Sequence, residues 1–224
     1  MMQHFDQELV ALKEKLLTMA SKAEAAVNNA IKALVDRDDD LARSVKEEDN
    51  ALDQLEIEVD ETAIGLLSKA PLASDLRLIT VAMKISHDLE RVGDEATTIS
   101  RRAVELSQEP QLKPYIDIPR MAKMALEMLD HALDAFVNAN PEKARAVIPR
   151  DKEVDALNRQ LHRELSSYMV EKPTTITRSL NLMVISKSLE RIADHATNVA
   201  EEVVYLYEAK DIRHTGKGQA SGGT

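Results

Sequence analysis

The chain has no cysteine and no tryptophan. Without thiols, disulfides and thiolate chemistry are excluded, and so are cysteine-ligated zinc and iron–sulfur clusters. Phe and Tyr together number only 6, so the apolar content is Ala, Leu, Val, Ile and Met. Gly and Pro, 6 and 7 in number, sit mainly at breaks and in the tail, which is the composition of long helices. No segment approaches the ~18 uninterrupted apolar residues of a membrane span. The opening MMQHFDQELVALKEKL has no apolar signal core. Membrane association is therefore expected only through a partner. Positive charge is in deficit: 29 Lys and Arg face 39 Asp and Glu, a net charge of -10. Phosphate backbones would be repelled, so no nucleic-acid partner is expected; metal cations or basic protein surfaces suit this charge. The lack of cysteine is compatible with a reducing cytoplasm, the expected location.

What is present is present twice. ISHDLERVGDEATTISRRAVEL (85–106) recurs 100 residues later as ISKSLERIADHATNVAEEVVYL (185–206). Further upstream the offset is 102: Ala23, Ala30, Val45, Asp49 and Asp53 meet Ala125, Ala132, Val147, Asp151 and Asp155. The duplication covers most of the 224 residues, so two units of about 100 residues each are expected. The predicted helices are about 4–36, 39–69 and 75–108, then 117–138, 141–171 and 175–210. Caps and breaks have local causes: DRDDD (36–40), Asn140 before Pro141, Pro71 with Ser74, and Pro173. Ile85, Leu89, Val92, Ala96, Ile99, Ala103 and Leu106 alternate steps of four and three, and so do Ile185, Leu189, Ile192, Ala196, Val199, Val203 and Leu206. That is the seam of near-parallel helix packing. The expected fold is all-α: two tandem three-helix bundles, 1–108 and 117–210, joined by the linker SQEPQLKPYI, with a flexible tail at 211–224. The Met residues at 83, 121, 124, 128 and 183 read as core filling.

Acids on a polar helix face are ordinarily just solvated. Three observations argue for more. Glu90 and Asp94, four apart on one helical face, recur as Glu190 and Asp194. Asp49 and Asp53 recur as Asp151 and Asp155, whereas Glu56 and Asp60 are replaced by Asn158 and His162. Finally, the second and third helices of each half must run antiparallel. The midpoint between 49 and 94, and between 53 and 90, is 71.5, beside Pro71; for 151 with 194, and 155 with 190, it is 172.5, beside Pro173. Each half is thus expected to bring four carboxylates to one height on neighbouring helices, at the surface. Such a group either raises its pKa values or is offset by a cation. Hard oxygen ligands favour Mg²⁺, Ca²⁺, Mn²⁺ or iron, and carboxylates that bridge permit a multinuclear cluster. Arg91 and Arg191 form local ion pairs, neutralise the patch, or contact a partner; the sequence leaves these open. His195 is at best an accessory ligand, since Glu95 replaces it in the first half, and His87 reads as a surface residue. There is no Glu-x-x-His, no Gly-rich phosphate loop and no nucleophile elbow, so no enzymatic site is expected.

With its two repeats, APLASDLR (70–77), DLERVGDEA (88–96), SLERIADHA (188–196) and DIRH (211–214), the chain resembles the PhoU family over roughly residues 3–214. The resemblance implies two three-helix bundles with surface metal clusters. Their ligands would be Asp49, Asp53, Glu90 and Asp94, then Asp151, Asp155, Glu190 and Asp194. The bound ions would be oxygen-ligated, among iron, manganese, magnesium and zinc. It further implies a negative regulator of phosphate uptake and the phosphate-starvation response. Such a protein couples the ATP-binding subunit of a phosphate ABC transporter to a sensor histidine kinase, and often forms a homodimer. Asp75 and Arg77 meet Thr175 and Thr177, so no symmetric role is expected for that pair. The alternative from the residues alone is a metal-dependent phosphohydrolase using the same carboxylates.

Overall fold

The computed structural model describes residues 2–69 and 72–212, the side chains of 2–4 excepted. Residues 213–224 of the expected tail at 211–224, and Pro71 at the first turn, lie outside the described residues. Among the described residues the regular structure is helical throughout. The first half is α1 (Met2–Asp36), α2 (Asp39–Leu67) and α3 (Ala73–Ser107). The second is α4 (Asp117–Val137), α5 (Pro141–Val147), α6 (Asp151–Glu171) and α7 (Ile176–Glu208). Each half packs as a three-helix bundle, with α5 and α6 together filling the place of α2.

The repeat extends to the backbone. Arg37 and Ala139, 102 apart, end α1 and α4 in the left-handed region at φ 57° and 51°. That conformation turns the chain sharply into the next helix, at a cost a glycine would not incur. The Asp38 side chain then caps α2 by accepting from the Asp40 and Leu41 amides, and Asn140 caps α5 by accepting from Lys143 N at 3.0 Å.

One expectation fails. The predicted single helix over 141–171 is broken by a 3-10 turn at Ile148–Arg150. Pro149 is the cause: it has no N–H to donate and its ring crowds the carbonyl one turn back. Arg150 then reaches back to α4, placing Nη2 2.8 Å from Glu127 Oε2.

The predicted seams hold. Every seam residue of α3 and α7 named above is buried, and Met121 and Met128 are fully enclosed. Beyond the seam, α3 and α7 carry a second buried face, because they pack against each other and join the bundles side by side. Asp88 and Glu202 are buried there, whereas Ser86 and Ser186 are buried within their own bundles against Met19 and Asn158. Polar pairs fix the register: Lys84 Nζ lies 3.0 Å from Glu202, and Arg77 donates to the Leu206 carbonyl at 3.3 Å. The start of α3 thus lies by the end of α7, and the two helices run antiparallel. The linker is strapped down as well. Arg178 Nε lies 3.2 Å from Glu109, and Lys113 pairs with Asp117 and Glu164.

Candidate metal centre

The acid positions follow from how closely α2 approaches α3. A Cβ on Gly93 would lie 2.5 Å from Leu52 Cδ1 and 3.0 Å from Asp49 Oδ1. A methyl there would push the Leu52 side chain aside, so glycine eases the approach that sets Asp49 over α3 one residue from Asp94. At the equivalent place in the second half stands Ala193, fully buried.

In the first half burial raises the Asp49 pKa, and the neighbouring charges of Asp53 and Asp94 raise it further. Glu90 is likewise raised, by burial first and then by Asp94, with Arg91 opposing. The second half repeats this more strongly. Burial, followed by Asp194, Asp155 and Glu190, pushes Asp151 up to about 6. Asp194 is raised by partial burial and by Glu190, with Lys187 opposing. Each set of four acids therefore comes together across two helices at the expected height. None of the eight acids is buried in a bundle core and Asp53 and Asp194 are exposed, but the Glu90 and Glu190 side chains are only 15% and 16% exposed. Helix-wheel reasoning places them beside the seam; α2 and α6 cover them further.

Some oxygens in these clusters lack ordinary satisfaction. Asp151 Oδ1 is buried with no hydrogen-bond partner. Glu90 Oε2 is also buried and accepts no hydrogen bond; Arg91 Nε stands 3.4 Å away. Buried carboxylate oxygens normally find donors, so these are the atoms a cation would satisfy. Neither set of four is drawn into a closed shell. Among the described residues, the group of ligating side chains whose atoms all lie within 4.8 Å of one another is Glu56, His87 and Glu90. Glu56 and His87 were not singled out from the sequence as ligands. The signal was there: 56 and 87 share the same midpoint, 71.5, that pairs 53 with 90.

The repeated arginines diverge. Arg91 makes the local pair, 2.8 Å from Asp94, whereas Arg191 crosses to the other bundle and meets Glu95 at 3.1 Å. His195, considered above as an accessory ligand beside Asp194, turns away from that cluster. Its Nδ1 sits 2.8 Å from Asp88 Oδ1, which also accepts from Asn198 at 3.1 Å. The position next to Asp194 faces the bundle junction, where a buried carboxylate needs donors.

The PhoU domain model matches residues 16–103 and 118–203, one copy per half. The "Phosphate-specific transport system accessory protein PhoU homolog" of Pseudomonas aeruginosa is 41% identical over 96% of this chain and 89% of its own length. The Escherichia coli (strain K12) protein "Phosphate-specific transport system accessory protein PhoU" is 33% identical over 95% and 88%. Among solved structures, PhoU from Pseudomonas aeruginosa superposes with a TM-score of 0.89 at 40% identity, covering 92% of this chain and 100% of that one. A phosphate transport system regulatory protein PhoU from Streptococcus pneumoniae gives 0.87 at 29% identity, covering 93% and 99%. On two domain matches that together span most of its length, this chain belongs to the PhoU family.

Proposed function

We propose that this chain is an accessory and regulatory protein of a phosphate-specific transport system. It restrains phosphate uptake and the phosphate-starvation response as a cytoplasmic, non-enzymatic adaptor between the transporter's ATP-binding subunit and a sensor histidine kinase. The observation that carries this is the end-to-end likeness to proteins named for that accessory role. No helix among the described residues is long and apolar enough to cross a membrane, which fits a protein that meets the membrane through partners. Exposed apolar side chains also support partner binding. Ile64, Leu72 and Leu76 collect about the α2–α3 turn, and Val170, Ile176 and Leu180 about the α6–α7 turn. Because α3 and α7 are antiparallel, these two patches lie at opposite ends of the molecule.

The two carboxylate clusters are proposed to hold divalent or trivalent cations: Asp49, Asp53, Glu90 and Asp94 in one, Asp151, Asp155, Glu190 and Asp194 in the other. The donors are hard oxygens, the pKa values of Asp49, Glu90, Asp151 and Asp194 are raised, and three buried oxygens, on Glu90, Asp151 and Glu190, lack hydrogen bonds. A bound cation supplies charge neutralisation there. The carboxylates in turn clamp α2 to α3 and α6 to α7, stiffening the faces offered to partners. Signalling is then a change in which partner is bound, with homodimerisation as a further element.

The adaptor role is tested by passing membranes from phosphate-replete cells over the immobilised chain. The ATP-binding subunit and the histidine kinase are expected to be retained; recovery of neither overturns the role. Metal binding is tested by elemental analysis of protein purified without chelator and supplemented with Mn²⁺ or Mg²⁺. Metal near zero under those conditions removes the cluster reading.

A further inference from the structure

The two halves differ at positions one helical turn from the repeated acids, where Glu56 and His87 meet Asn158 and Lys187. Glu56 on α2 faces His87 and Glu90 on α3, with ligand atoms all within 4.8 Å of one another. His87 Nδ1 stands 3.2 Å from Glu56 Oε1. A carboxylate oxygen of Glu90 completes the group; its Oε2 is buried without a hydrogen bond, with Arg91 Nε 3.4 Å away. Glu56 and His87 line a cleft of about 520 Å³ between α2, α3 and α7, together with Asp60, Asp88 and Lys84, whose ammonium is paired with Glu202. That gives an ion a path in and gives waters room to fill its remaining coordination positions.

The second half has no such group. Asn158 stands in place of Glu56 and accepts from Ser186 Oγ at 2.8 Å. Lys187 stands in place of His87, and its ammonium pairs with Glu190. A cationic side chain thus occupies there the place that is open to a metal in the first half.

We propose that Glu56, His87 and Glu90 form a histidine-containing divalent-cation site peculiar to the first half, taking a borderline ion such as Zn²⁺ in preference to Mg²⁺ or Ca²⁺. One imidazole nitrogen with two carboxylates suits zinc and neighbouring first-row ions. Magnesium and calcium prefer oxygen alone and gain nothing from the ring. Glu90 also belongs to the first carboxylate cluster, so the site rests on the cation-binding reading above only through that residue. The stoichiometry of the halves then differs: one nitrogen-ligated ion belongs to the first, none to the second.

The full-length chain, stripped with chelator, is titrated calorimetrically with Zn²⁺ and separately with Mg²⁺, with elemental analysis after desalting. His87→Ala is expected to bind one Zn²⁺ per chain fewer than wild type while its Mg²⁺ stoichiometry is unchanged. Glu56→Gln, isosteric with the native residue, is expected to show the same loss. Asn158→Glu combined with Lys187→His is expected to gain one Zn²⁺. Far-UV circular dichroism identical to wild type certifies the fold of each variant. Equal Zn²⁺ stoichiometry in wild type and His87→Ala overturns the proposal. A His87-dependent Zn²⁺ site in a protein that takes up no Mg²⁺ or Mn²⁺ sustains it and sinks the carboxylate-cluster reading instead. Metal bound by neither route sinks both.

Discussion

Asp88 on α3 and His195 on α7 meet across the junction of the bundles, with Asp88 Oδ1 2.8 Å from His195 Nδ1. In the repeat their counterparts are Ser188 and Glu95, so the pairing is unique to one side of the junction. Asp88 is 9% exposed, and a buried carboxylate deprived of a donor costs far more than a surface one. His195→Ala is therefore expected to destabilise the chain by about 1–3 kcal/mol. Urea unfolding of the single variants and of the double variant with Asp88→Asn gives the coupling. A value of about 0.5 kcal/mol or more is expected for groups in contact, and strict additivity would show that the pair does not hold the bundles together.

Asp151 holds its proton more tightly in the folded chain than its ordinary 3.8, at about 6. The folded state therefore binds more protons than the unfolded state between those values, and stability falls as pH rises through that window. Chelator-treated Asp151→Asn is expected to be more stable than wild type at pH 7.5, by on the order of 1 kcal/mol once solvent screening is allowed for. The difference should shrink towards pH 4. With saturating Mn²⁺ the order reverses, because wild type gains binding energy that the variant loses. Melting curves across pH, with and without metal, check both signs; an unchanged pH profile in the variant would refute the linkage.

Gly93 is a close-approach glycine in the middle of a helix. Replacing it with alanine raises helix propensity by about 0.8–1 kcal/mol. The new methyl would meet Leu52 at 2.5 Å and Asp49 at 3.0 Å, however. Overpacking of a close-packed core costs about 1–3 kcal/mol. The net expectation for Gly93→Ala is a lower melting temperature and weaker Mn²⁺ binding in the first half alone. A variant as stable as wild type would mean that α2 retreats without cost.

If the carboxylates clamp helices and do no bond chemistry, the metal-loaded chain will not hydrolyse p-nitrophenyl phosphate faster than metal ion alone. Metal-dependent turnover that disappears in Asp94→Ala and Asp194→Ala would instead establish the phosphohydrolase alternative.

Much of this molecule follows from local rules. The seam from Ile85 to Leu106 and its copy from Ile185 to Leu206 are set by side-chain period alone, and all their members are buried as expected. The meeting of Asp49 with Asp94, and of Asp151 with Asp194, follows from two antiparallel helices and the place of the turn between them. The same reflection contained Glu56 opposite His87, but a search for repeated acids passes over a residue pair that the second half replaces. The break at Pro149 was legible too, as a proline inside an otherwise periodic helix.

The helices, their core faces and the height at which the acids meet can be read from residue order, because these depend on periodicity and on chain reversals a few residues long. The folded molecule adds that α3 and α7 bind each other and turn His195 towards Asp88, 107 residues away in sequence. It also keeps Arg91 with Asp94 while Arg191 crosses to Glu95. Those choices depend on how two finished bundles fit side by side. Polar pairs at that junction are selected by mutual burial, which no local period encodes.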